Sequence, residues 1–225
     1  MSVTSNKTNN DLNTSSAANP SVFSLFLKYV SANVLGMIGY SCYILADTFF
    51  IARGIGSDAL AALNLVLPAY SLMNGTGLMI GMGAASRYTI SSTKPEGTLH
   101  RTIFTHALYL IVFAAVIFSS SGILFPDKIA AVLGADADTI SYATDYIRIL
   151  LMFSPLFLGN NLLLSFVRND GAPRLSMTGM IVGSLTNIVL DYVFIYPLGM
   201  GMTGAALATA TAPVISMLIM SVHFI

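Results

Sequence analysis

The chain has 225 residues, 55% of them hydrophobic and only 9% charged, with a mean hydropathy of +0.77; soluble domains carry about a quarter charged residues, so a water-soluble globule is excluded. Ten Lys plus Arg balance ten Asp plus Glu, which leaves no basic face for a nucleic-acid backbone, and no nucleic-acid partner is expected. The single Cys42 permits no internal disulfide, and His100, His106 and His223 have no zinc-ligand spacing, so neither a structural metal nor a cofactor is expected.

Residues 1–20 are rich in Ser, Thr and Asn without apolar periodicity, the composition of a solvated, disordered tail. A basic n-region and a small-residue cleavage site are lacking, so the tail is not a signal peptide. From Ser21 to the end the sequence predicts an all-α bundle of six membrane spans, at about 22–51, 58–86, 101–124, 139–167, 173–196 and 203–225, each near or above the ~20 residues that cross the hydrocarbon. Turn residues punctuate them: Gly54 and Gly56, Pro95 and Gly97, Pro126 and Asp127, Gly171 and Pro173, Pro197 and Gly199. Pro68, Pro155 and Pro213 fall inside spans and are expected to kink them.

Basic residues set the orientation. Lys7, Arg87, Lys94, Arg101, Arg168 and Arg174 fall on the side of the tail, and only Arg53 and Lys128 on the other. That puts the amino terminus in the cytoplasm, and the 125–138 loop with Asp127, Asp136 and Asp138 outside. The first and third hairpins also echo each other: Asp47-to-Ile51 precedes Gly54 and Pro68, Asp191-to-Ile195 precedes Gly199 and Pro213, and both glycine-to-proline intervals are 14 residues. A parallel repeat of the kind known among transporters has this form, as does chance similarity of two glycine-turned hairpins.

Asp47 and Asp191 stand inside apolar runs, where a carboxylate is costly and usually serves ions, protons or substrates. At 1.5 Å per residue, Asp47 is ~6 Å, Asp191 ~8 Å and Thr209 ~9 Å from the outer ends of their spans, so three helices bring oxygen atoms to one level. Tyr43 and Asn187, each four residues before its aspartate, share its helix face. Such a cluster can load a proton, because burial and a neighbouring like charge both disfavour paired ionised carboxylates. Its hard oxygen atoms equally suit sodium. The bland alternative is that each aspartate is capped near an interface and does nothing else.

Asp145 and Arg148 are expected to be a structural pair. Asn160 and Asn161, deeper in the fourth span, suit either a cavity lining or interhelical hydrogen bonds, and Gly77 with Gly81 and Gly179 with Gly183 suit close helix packing. Gly199 to Gly204 matches GxGxxG, but no strand precedes it and no acidic residue follows, so no dinucleotide site is expected. Two buried aspartates also suit an intramembrane aspartyl protease, although Asp191 sits in IVLDY, without the GxGD pattern those enzymes resemble.

LADTFFIARGIGSDALAALN, the loop RNDGAPR and SLTNIVLDYVFIYPLGMGMTGAALATA together resemble the multidrug and toxic compound extrusion (MATE) family, from about Ser21 onward. The resemblance implies an antiporter, not an enzyme, of two six-helix lobes in a cell membrane that exports amphipathic, often cationic drugs in exchange for H+ or Na+. By position it implies that Asp47, Tyr43, Asn187, Asp191 and Thr209 serve the coupling cation, with Asn161 a cavity-lining residue. Members resemble about twice this length, and the chain stops at His223-Phe-Ile225 without a polar cap. An amino-terminal lobe cut mid-helix is therefore expected, partnered by a missing lobe or a second copy. The inner half of the first span offers Gly36 and Gly39 where some members bend at a proline. A flippase of the same superfamily for lipid-linked saccharides is the neighbouring alternative; it would want basic residues in the cavity, and those here lie almost entirely at span ends.

Overall fold

The computed structural model describes residues 22–92 and 99–224. The tail expected over 1–20 and the turn at Pro95 and Gly97 lie outside them. Among the described residues all regular structure is helical: α1 (Val22–Gly54), α2 (Ser57–Ser92), α3 (Leu99–Leu124), α4 (Pro126–Val132), α5 (Ile140–Met152), α6 (Ser154–Asn169), α7 (Pro173–Ile195) and α8 (Gly201–Ser221), which ends in a 3-10 turn at Val222–Phe224.

Five of these helices are long and apolar enough to cross a bilayer, and α5 with α6 forms a sixth span bent by 52°. The span expected over 139–167, with its kink at Pro155, is thus two helices meeting at Phe153. The cause is Pro155: it has no N–H to offer the Leu151 carbonyl, and its ring crowds that carbonyl. Two hydroxyls close the gap. Ser119 donates to the Met152 carbonyl at 3.1 Å, Ser154 donates to the Ala115 carbonyl at 3.2 Å, and the two hydroxyl oxygens are 3.0 Å apart. Pro68 and Pro213, by contrast, sit inside the unbroken helices α2 and α8.

The 125–138 connection is not a plain loop, because α4 occupies its first half and Asp136 organises the second. Asp136 Oδ1 accepts from the Thr139 hydroxyl at 2.7 Å and from the Thr139 and Asp138 amides at 3.1 and 3.3 Å, fixing the entry to α5. The Thr139 hydroxyl, then its amide, hold the Asp136 carboxyl below the usual carboxylate range.

Half of the apolar window of α8 is buried, against 22% in α1, α2 and α3, so α8 is the central column and those three form the periphery. Large side chains such as Leu45, Phe113 and Leu124, 70%, 66% and 66% exposed, point outward, a distribution suited to lipid. The echoing hairpins pack differently. α7 lies along α8 over much of its length, whereas α1 packs on α7 and only slightly on α2. Their turns differ too: Gly56 alone takes a left-handed φ, +132°, in the first, but both Gly199 (+59°) and Gly201 (+57°) do so in the third.

Candidate functional site

The site begins with how closely α7 and α8 approach. A Cβ at Gly183 would lie 2.9 Å from the Ala212 carbonyl oxygen, so only glycine lets the two backbones meet at this spacing. One turn further along α7, Asn187 therefore reaches α8. In the amide orientation that satisfies both neighbours, Asn187 donates to Asp191 Oδ2 at 3.1 Å and accepts from the Thr209 amide at 3.1 Å. Asn187 and Asp191 are fully buried and Thr209 is 4% exposed.

α1 contributes Asp47 and Tyr43, both buried. With Thr209, Asp47 and Tyr43 line a cavity of about 60 Å³ whose other walls include Tyr70 and Tyr146. The Tyr43 and Tyr70 hydroxyl oxygens are 2.9 Å apart, and the Tyr40 hydroxyl donates to Tyr70 at 3.4 Å. Thr209 links the two aspartates: it lines the cavity beside Asp47, and its amide is joined to Asp191 through Asn187. One oxygen of each aspartate, Oδ1, has no hydrogen-bond partner among the described residues. Buried carboxyl oxygens are seldom left so, and here two aspartates from different helices are left so in one region.

Of the residues singled out in the sequence, Tyr43, Asp47, Asn187, Asp191 and Thr209 thus gather in one neighbourhood. Asn161 lies elsewhere, on α6, donating to the Asn74 side-chain oxygen at 3.0 Å and to the Asn74 carbonyl at 3.4 Å. It faces α2, where a Cβ at Gly81 would be 2.9 Å from its own carbonyl oxygen. Asp145 and Arg148 do not pair, since the ion pair among the described residues is His223 with Asp170 at 2.8 Å. The turn of α5 that sends Tyr146 and Ile147 into the core leaves Arg148 exposed. Tyr146 itself was not foreseen. Its hydroxyl lies 3.3 Å from Thr209 Oγ1, and the spacing of Tyr146, Ile147, Leu150 and Leu151 was the available sign that it faces inward. No group of three or more His, Cys, Asp or Glu suited to a metal occurs among the described residues.

The MatE family model matches residues 33–193, a stretch that includes both aspartates, Tyr146 and Asn187. The chain belongs to the MatE family. Among similar proteins are two named multidrug export protein MepA. That of Staphylococcus aureus (strain MRSA252) is 26% identical over 203 residues, 90% of this chain and 45% of the relative. That of Staphylococcus saprophyticus is 25% identical over 205 residues, 91% of this chain and 46% of the relative. A solved structure of the MATE multidrug transporter DinF-BH superposes with a TM-score of 0.86 at 26% identity, covering 92% of this chain and 46% of that one. This MatE chain thus spans about half the length of these curated relatives, both named as export proteins. It is a multi-pass membrane protein of a transporter family.

Proposed function

We propose that this chain forms one lobe of a multidrug exporter that expels amphipathic, often cationic compounds in exchange for H+ or Na+. The observation that carries the reading is the pair of buried aspartates whose Oδ1 atoms lack partners among the described residues, with a small cavity beside Asp47 and Thr209. In this scheme the coupling cation enters from outside and neutralises Asp47 and Asp191. Asn187 orients Asp191, while Thr209 and Tyr43 supply further oxygen atoms. Neutralisation removes the charge on the carboxyls, and the packing of α1 on α7 that follows from it no longer favours bound drug, so the two ligands compete for one state.

A second lobe, from further sequence or another copy, gives the bundle something to rock against. The excess of basic residues on the tail side supports an amino terminus in the cytoplasm of a cell-membrane protein. The described residues lining the cavity include no Lys or Arg, which suits a small cation held on Asp47. In the complete transporter, Asp47→Asn and Asp191→Asn are expected to abolish efflux of a fluorescent lipophilic cation at unchanged expression. Dissipating the proton or the sodium gradient separately distinguishes the coupling ions. Undiminished efflux in both variants would overturn the proposal.

A further inference from the structure

α2 and α3 part at the end of their hairpin, leaving a crevice of about 700 Å³ between Met79–Ser91 of α2 and Thr102–Leu110 of α3. It is separate from the carboxyl cavity, whose α2 wall ends at Tyr70, ~14 Å along the helix from Met79. The crevice walls are chiefly apolar, with Ile80, Ala84, Ile103 and Ala107 among them. Gly83 is bare there: a Cβ at that position would meet nothing within 4 Å among the described residues. From Met79 to Ile90 the crevice runs ~16 Å at the α-helical rise, close to the ~15 Å of hydrocarbon in one leaflet.

Near the hairpin end of the crevice stands Arg87, exposed, with no hydrogen-bond or ion-pair partner among the described residues. Across from it is His106, whose Nδ1 lies 2.7 Å from the Thr102 carbonyl oxygen. A guanidinium at the edge of the hydrocarbon reaches headgroup depth, and its planar fork matches a phosphate. We propose that this crevice binds one anionic phospholipid, with an acyl chain lying over Gly83 between Ile80 and Ile103 and the phosphate on Arg87. In the orientation proposed above the lipid belongs to the cytoplasmic leaflet, the anionic one, where basic pockets between helices hold headgroups. The inference is independent of what the protein transports.

Native mass spectrometry of the purified full chain in detergent, titrated with phosphatidylglycerol, phosphatidylcholine or inorganic phosphate, tests it. One phosphatidylglycerol should be retained at about tenfold lower concentration than phosphatidylcholine, a difference of ~1.4 kcal/mol. Arg87→Gln should erase that preference, and Gly83→Leu should weaken both lipids by filling the crevice. Gly75→Leu, at a site on α2 equally free of neighbours within 4 Å but outside the crevice, should change neither. Equal retention of the two lipids, full retention by both Arg87→Gln and Gly83→Leu, or displacement of phosphatidylglycerol by equimolar inorganic phosphate would each overturn the proposal.

Discussion

Asn187→Ala and Asp191→Asn are expected to have different consequences for the fold, although the two residues touch. Asn187 is fully buried and makes two bonds, to Asp191 Oδ2 and to the Thr209 amide, each 3.1 Å long. Truncation to alanine removes a hydrogen bond to a carboxyl, worth ~1.5–3 kcal/mol. It also leaves Asp191 with neither oxygen bonded by a side chain seen in this structure, since Oδ1 already lacks a partner. Together with the small void, a loss of about 3 kcal/mol follows, roughly 6–12 °C for a chain of this size. Asp191→Asn keeps the shape and retains a partner for Asn187, so the midpoint should hold. The assay is thermal unfolding of the purified full chain in detergent, followed by circular dichroism at one pH near neutrality. A midpoint for Asp191→Asn as low as that of Asn187→Ala would refute the reasoning, because Asp191 would then be a structural anchor rather than a group held in place by one.

Gly183→Val should force α7 from α8, because even a Cβ would crowd the Ala212 carbonyl oxygen at 2.9 Å; we expect a loss of ~1–3 kcal/mol for overpacking, read by the same unfolding assay. Asp136 gives a pH signature: its folded carboxyl titrates below the ordinary range because the Thr139 hydroxyl and amide bond it. Its contribution is therefore complete above the unfolded aspartate value of ~3.9 and is lost as pH falls through the lower folded value. Hydrogen exchange at the first turn of α5 should accelerate on that acidification, and Asp136→Ala should be fast at every pH.

The carboxyl cluster was legible in the sequence because ionisable residues inside apolar runs are conspicuous, and because a four-residue interval fixes Asn187 and Asp191 on one face whatever the tertiary packing. Tyr146 was not, since an aromatic residue with a polar tip blends into an apolar segment until its neighbours' burial reveals which way it points. Asp145 and Arg148 show the converse: their three-residue spacing permits a pair but does not compel one, and the core claimed the helix face between them. The bend at Phe153 was announced by Pro155, but its size was not, because hydropathy averaged along the stretch is the same for one bent rod and for two.

The hydroxyls at that division have a mechanical meaning. Lipid cannot solvate peptide groups released where a helix stops at membrane depth, so Ser119 and Ser154 stand where water would stand in a soluble protein. A joint closed by two covalently anchored hydroxyls is a bracket rather than a hinge. It fixes the pitch at which α5 leans on the central column, and with it the reach of the Tyr146 hydroxyl to Thr209. Replacing either serine by alanine would therefore be felt at the far end of the lever, in the aim of a phenol neither residue touches.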